Sequence, residues 1–157
     1  MKAVPVVTIK KELQHLSSDE LTELCLRLSR FKKENKELLT YLLFESQNED
    51  AYIQSIKMFV DEQFITINRD SYFYIKKSVR KILRLIKKFA RYSLKKETEV
   101  ELLLYFCQKL KEFSPSIKNN VTLTNIFERQ LLLAKKTVST LHEDLQYDYN
   151  LVIEQLD

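Results

Sequence analysis

Residues 71–93 read SYFYIKKSVRKILRLIKKFARYS, and this stretch decides the fold class. Its apolar side chains recur every three or four residues, which is the period of an amphipathic α-helix. The side chains on this face are Tyr72, Ile75, Val79, Ile82, Ile86 and Phe89. We therefore predict one long helix that begins at Asp70 or Ser71 and ends near Ser93.

The absence of glycine favours the same class for the rest of the chain. The 157 residues include no glycine and only two prolines, whereas an average protein of this length has roughly 11 glycines. Phosphate-binding loops, nucleophile elbows and dinucleotide-binding turns need glycine, so these chemistries are disfavoured. Asparagine recurs at the predicted joints, where its tolerance of left-handed backbone would substitute for glycine. These asparagines are Asn35, Asn48, Asn68, Asn119 and Asn120.

Similar periods predict further helices on both sides of this stretch. They cover about residues 8–16, 17–33, 35–44, 48–64, 97–113, 122–141 and 143–156, and the joint between the last two is left open. Ser17 with Glu20 forms a capping box, and Asn48 and Thr122 or Thr124 are further caps. We expect an all-α fold: a single domain, 1–157, of about six or seven helices packed as antiparallel hairpins. Residues 1–7 are expected to be an extended N-terminal segment.

Leu21, Leu24, Leu28 and Phe31 form one apolar face of the helix at 17–33. Burial is expected for both cysteines, Cys25 and Cys107, and for the leucines of the next helix, Leu38, Leu39, Leu42 and Leu43. Two distant cysteines and two isolated histidines, His15 and His142, have no zinc-site spacing, so we expect no metal and no cofactor. Each histidine is expected at the surface or at a helix end.

The first residues, MKAVPVVTIKKEL, have an apolar patch of about five residues and then become charged. This patch is too short for a secretory signal, and no apolar run approaches the roughly 20 residues of a membrane span. We therefore expect a cytoplasmic protein.

The charge of the chain is concentrated on the long helix. Residues 76–96 contain ten basic side chains and no acidic one, which leaves 16 of the 26 basic side chains against all 22 acidic ones elsewhere. Six of the ten recur at helical spacing opposite the apolar face, over about 27 Å if the helix is continuous. We name these six the basic stripe: Lys77, Lys81, Arg84, Lys88, Arg91 and Lys95.

The basic stripe has several interpretations. It can be solvated, or neutralised within the fold by Glu97, Glu99 and Glu101, by the helix from Glu49 to Glu62, or by the acidic C-terminal helix. It can also bind an acidic protein partner or a nucleic-acid backbone. A membrane surface is the least favoured partner, because the opposite helix face is expected to contact the core. Tyr72, Phe73, Tyr74 and Tyr92 could stack on bases, although core packing is favoured for them.

Catalysis has no support in the sequence. The paired acids at 19–20, 61–62 and 143–144 are adjacent, so their side chains diverge on a helix. No serine or cysteine has an identifiable histidine partner, and no small-molecule substrate is inferred. An enzyme with a site between helices would need a polar pocket with perturbed carboxylates.

The chain is similar in its order of elements to a family of uncharacterised bacterial helical domains. The similar segments are TIKKELQHLSSDELTELCLRL, KELLTYLLF, the basic helix, ELLLYFC and the final helical pair, from about Thr8 to Leu156. Turns of that family contain glycine and proline, from which this chain departs. The resemblance implies an all-helical fold and brings no activity, ligand or site residue with it.

For function, the sequence favours a non-enzymatic protein-interaction module that uses the basic stripe. The alternative is sequence-nonspecific nucleic-acid binding through the same residues. The sequence predicts no oligomeric state.

Overall fold

The computed structural model describes residues 1–157 and contains α-helices but no β-strand. The predicted all-α class is confirmed. The helices are α1 (Val6–Leu13), α2 (Ser18–Phe31), α3 (Lys33–Thr40), α4 (Glu49–Ile65), α5 (Tyr72–Ser93), α6 (Lys96–Lys111), α7 (Val121–Val138) and α8 (Glu143–Leu156). A π-helical turn covers Tyr41–Glu45, and a 3-10 turn covers Ile117–Asn119.

Eight helices are slightly more than the six or seven predicted. The difference arises at the last joint, where α7 ends at Val138 and the His142 side chain caps a separate α8 by accepting from the Asp144 amide. At the other end of the chain, α1 begins at Val6, so the helix includes the last two residues of the segment predicted to be extended.

The chain divides into two compact units, Met1–Phe44 and Glu45–Asp157. The prediction of one domain over residues 1–157 stays a prediction. Consecutive helices contact one another within each unit, α2 with α3 in the first and α4 through α8 in the second. Such contacts are typical of helical hairpins, and the antiparallel arrangement stays a prediction.

The first unit forms its predicted helices without burying their apolar faces. The capping box is confirmed: the Glu20 amide donates to Ser17 Oγ, and the Ser17 amide donates to the Glu20 carboxylate. None of the residues in α1, α2 and α3 is buried. The predicted burial is therefore wrong for the exposed side chains of Cys25, Leu38, Leu42 and Leu43. On the predicted apolar face of α2, Leu24, Leu28 and Phe31 are exposed as well. A pair of helices in contact covers only part of each apolar face.

The second unit is built around α6. This helix contacts α4, α5, α7 and α8, and it carries eight buried residues. The buried side chains lie on several sides of the helix, as expected for a helix with neighbours on more than one side. The buried residues are Thr98, Val100, Leu102, Leu103, Leu104, Phe106, Cys107 and Leu110.

The core of this unit extends from α6 to the helices on each side of it. Toward α4, the ring of Phe64 lies 6.1 Å from that of Phe106 and 6.0 Å from that of Phe113, between centroids. Toward α7 and α8, Cys107 packs in one cluster with Leu131, Ala134, Val138 and Ile153. Cys107 is therefore the buried small side chain that was predicted.

Helix α5 has the predicted extent, from the Ser71 N-cap to Ser93. It buries Ile75, Val79, Ile82, Ile86 and Ala90 and leaves its opposite face in solvent.

Asparagine side chains cap helices here, whereas the sequence predicted that asparagines would adopt left-handed backbone at the turns. The side chains of Asn48 and Asn120 cap α4 and α7, and Asn120 takes the place predicted for Thr122 or Thr124. The one residue with left-handed backbone is Leu94, at φ 59°. Asparagine therefore does not substitute for glycine in left-handed turns here, and α5 ends on a leucine instead.

Candidate partner-binding face

The basic stripe is a solvent-facing row on α5 over most of its length. Lys77, Lys81, Arg84 and Arg91 are exposed, and Lys88 is partly exposed with its Nζ 5.0 Å from the centre of the Phe89 ring. These five residues span about 21 Å of helix at 1.5 Å per residue. The continuous 27 Å stripe that the spacing predicted is thus shorter, because α5 ends before Lys95.

Lys95, at the end of the stripe, is neutralised within the fold. The left-handed backbone of Leu94 separates it from α5, and its Nζ lies 3.1 Å from the Glu49 carboxylate at the start of α4. That carboxylate also accepts hydrogen bonds from the hydroxyls of Ser93 and Thr98. Internal neutralisation, one of the predicted alternatives, therefore applies to Lys95.

The first half of α5 has no such neutralisation. Lys76, Lys77, Arg80, Lys81 and Arg84 form no ion pair with a carboxylate. Some of these side chains are four residues apart on the helix, where like charges repel. A partner that brings negative charge to this face would relieve that repulsion.

Glu101, one of the acidic side chains expected to neutralise the stripe, has its partners elsewhere. Glu101 accepts from Lys57 Nζ at 2.6 Å and from the Tyr149 hydroxyl at 3.4 Å. Burial first, and then the charge of Glu101, raise the pKa of Tyr149 to about 12. The phenol is therefore a neutral hydrogen-bond donor at physiological pH, and the arrangement joins α4, α6 and α8.

A second polar connection joins α4 to α6. Asp61 accepts from the Tyr105 hydroxyl at 2.7 Å and lies 2.9 Å from Lys109 Nζ. Burial alone would raise the pKa of Asp61, but the hydrogen bonds from Tyr105 and Lys109 and the Lys109 charge outweigh it and lower the pKa. This carboxylate is therefore used in helix packing.

An open groove of about 660 Å³ lies between α5 and α7, beside the basic stripe. Four basic side chains line it: Lys76, Lys77, Arg80 and Arg84. Three apolar side chains complete the lining: Phe73, Leu83 and Ile126. No acidic residue lines the groove, so it combines uncompensated positive charge with an apolar surface.

A smaller cavity of about 280 Å³ lies farther along α5. Its lining includes Lys87, Arg91 and Lys96, but also Glu99. This acidic side chain distinguishes it from the larger groove.

The sequence reasoning missed the second basic row and the groove. Lys76 and Arg80 are not among the six stripe residues, and Ile126 lies 42 positions or more from all of α5's groove-lining residues. Lys76, Arg80 and Leu83 are four and three residues apart, so their spacing could have indicated that they share one edge of the helix. The contribution of α7 depends on tertiary packing.

Two of the four aromatic residues predicted to pack in the core are exposed instead. Phe73 is 67% and Tyr74 46% exposed, with ring centroids 5.4 Å apart. Tyr72 and Tyr92 are partly buried, and the Tyr72 hydroxyl donates to the Ser116 carbonyl at 3.0 Å. The difference arises because Phe73 and Tyr74 lie on the solvent side of the first turn of α5. An exposed aromatic pair thus lies beside the basic residues of the groove.

The remaining candidate groups are the two histidines and the carboxylates outside the basic face. His15 is exposed and His142 caps a helix, as predicted for both. No group of three or more histidine, cysteine, aspartate or glutamate side chains is placed to hold a metal ion. None of the helices has the length and apolar character needed to cross a membrane.

The chain matches no protein-family model, and neither a curated protein nor a solved structure is found to be similar to it. The functional interpretation therefore depends on the face itself.

Proposed function

We propose that this protein is a non-enzymatic interaction module that binds an acidic protein partner through the basic face of α5. One observation carries the proposal: the basic residues from Lys76 to Arg84, of which Lys76 is partly exposed and the other four are exposed, have no carboxylate partner. The apolar side chains beside them favour a protein over a purely anionic polymer, because protein partners present apolar and charged groups together.

Charge reversal on this face tests the proposal. We expect the triple variant Lys77→Glu, Lys81→Glu and Arg84→Glu to lose at least about tenfold in affinity for acidic partners. Charged groups in an interface speed association with a surface of opposite charge and slow its dissociation. These side chains are exposed and unpaired, so the fold should be retained. Partner capture would be quantified by mass spectrometry, and the affinity of each captured acidic protein would then be measured with purified components.

The matched control is Lys2→Glu, Lys36→Glu and Lys118→Glu, which changes the net charge equally at exposed sites elsewhere. If both triple variants lose binding equally, net charge rather than the face is responsible. If neither changes binding while both stay folded, the basic face is not the contact surface.

Sequence-nonspecific nucleic-acid binding is the second candidate. The exposed pair Phe73 and Tyr74 beside Lys76 and Lys77 favours it, because bases stack on aromatic rings next to a basic surface. In this case log affinity for DNA or RNA falls linearly with log salt concentration. Gel retardation across a salt series measures this slope, and the absence of retardation at low salt excludes the candidate.

A further inference from the structure

We propose that the groove between α5 and α7 binds an acidic amphipathic helix of the partner protein. The inference rests on the proposed function, and it adds where the partner contacts this protein and what the contacting segment looks like. Its basis is the composition of the groove: four basic and three apolar side chains, without an acidic one.

The charge of the groove requires an acidic occupant. Lys76, Arg80 and Arg84 are four residues apart in succession, so their charges repel one another along one edge of α5. None of the three is paired with a carboxylate. Carboxylates on a bound segment would form charge-assisted hydrogen bonds with the two guanidinium groups, which present paired donors in a planar geometry.

The apolar part of the groove requires an occupant with an apolar stripe. Phe73 is 67% exposed at the start of α5, Leu83 packs partly against the core, and Ile126 faces them from α7. An acidic chain without apolar residues would leave this surface in contact with water. Burial of an aromatic ring and aliphatic side chains is a main source of affinity in helix-in-groove recognition.

The geometry favours a helix over an extended segment. The groove follows α5 from Phe73 to Arg84, about 16 Å at 1.5 Å per residue, so a helix of about eleven residues matches it. The walls are helices, whose main-chain groups are already hydrogen-bonded internally. A helical occupant likewise satisfies its own main-chain groups, whereas an extended segment would find no strand edge to pair with.

Nucleic acid matches this groove less well. Phosphates could pair with the basic side chains of the groove. Leu83 and Ile126, however, are apolar and form no favourable contact with a sugar-phosphate backbone, and Phe73 is the one aromatic ring in the groove on which a base could stack. A polynucleotide is therefore a competing outcome of the test.

Fluorescence anisotropy with designed probes tests the inference on the full chain. The first probe is a labelled helical peptide of about twelve residues with leucines spaced three and four apart and glutamates elsewhere. The second has the same composition in a scrambled, non-amphipathic order. The third keeps the leucines but replaces glutamate with lysine, and the fourth is a labelled single-stranded DNA oligonucleotide. We expect the first probe to bind at least about tenfold more tightly than the second and third.

Variants then locate the binding. Phe73→Ala with Ile126→Ala leaves the charge unchanged and is expected to weaken binding of the first probe about tenfold. Ile65→Ala, at an exposed position on α4 outside the groove, is the control and is expected to have no effect. Arg80→Gln with Arg84→Gln should weaken it similarly. Lys81→Gln, which lies on α5 outside the groove, should have a smaller effect. Circular dichroism would verify that each variant is folded.

The results separate the inference from the proposed function. Equal binding of the amphipathic and scrambled probes, or no effect of the Phe73 and Ile126 substitutions, overturns the groove while the charge-reversal result still supports an acidic partner. Tighter binding of the DNA probe than of any peptide overturns the groove and favours the nucleic-acid candidate. If no acidic peptide binds and charge reversal has no effect, both fail.

Discussion

At the scale of single residues, Leu94 shows how a chain without glycine ends a helix. Its φ of 59° lies in the left-handed region, where the Cβ of any residue but glycine contacts the backbone. The side chain is 84% exposed, so its packing does little to offset the free-energy cost of the left-handed backbone. The same residue turns Lys95 away from the helical stripe and toward Glu49.

We predict that Leu94→Gly raises the free energy of unfolding by about 0.5–1 kcal/mol, because removal of the Cβ relieves the left-handed geometry. Chemical denaturation measures the change. Leu94→Ala is the matched control, since it removes most of the exposed side chain and keeps the Cβ. Equal stabilisation by both substitutions would contradict the explanation.

Single residues also show where sequence reasoning reached its limit. Cys25 and Cys107 occur in similar apolar helical patterns, and burial was predicted for both. Only Cys107 is buried, because its helix packs against four others, α4, α5, α7 and α8. The local pattern shows which face is apolar, whereas burial depends on what the rest of the chain places against it.

At the scale of elements, α4 and α6 are joined by polar contacts as well as by their core. Asp61, Tyr105 and Lys109 form one such connection, and Lys57 with Glu101 forms another. Because Asp61 is partly exposed, solvent screens its ion pair and the contribution is modest.

We predict that Asp61→Asn lowers the free energy of unfolding by about 0.5 kcal/mol at neutral pH. The pKa of Asp61 is lowered in the folded state, so this contribution is present above the unfolded pKa of about 3.9 and is lost as the pH falls through the folded value. Denaturation between pH 7 and pH 2 would therefore show the two proteins converging in acid. Glu62→Gln, an exposed neighbour, is the control. A difference between Asp61→Asn and the parent that persists at the lowest pH would contradict the assignment.

The elements themselves were largely predictable. Helix α5 has the extent that its period predicted, and the capping box of α2 is present as expected. The predicted position of a helix end was less accurate where no capping side chain marks it. Helix α2 ends at Phe31 rather than near residue 33, and α6 ends at Lys111 rather than near residue 113. Capping side chains have specific local hydrogen bonds, whereas a helix end without them depends on neighbouring elements.

At the scale of the whole molecule, the two units differ in how they are stabilised. Residues Glu45–Asp157 have a core drawn from five helices around α6. Residues Met1–Phe44 have three helices without a buried side chain. Isolated helices of this length are marginal in water, since most helical stability comes from packing an apolar face.

We predict that a fragment of residues 45–157 folds cooperatively without the first 44 residues, because its core and the Asn48 cap of α4 are complete. Dispersed amide resonances and a single thermal transition would verify this. A fragment of residues 72–157, which lacks α4, is the control and should not fold cooperatively, since it loses Phe64 and its contacts with Phe106. Failure of the longer fragment to fold would contradict the prediction.

The sequence by itself determined the all-α class, most helices and the segregation of charge on α5, since these follow from local period and capping. Tertiary structure decided which basic side chains are neutralised. Lys81 and Lys95 are equivalent members of one spacing pattern, yet only Lys95 was brought next to a carboxylate, at 3.1 Å from Glu49. Tertiary packing also placed Ile126 of α7 beside the basic edge of α5, and this contact forms the groove. Such contacts join residues distant in the chain, and a periodic pattern contains no information about them.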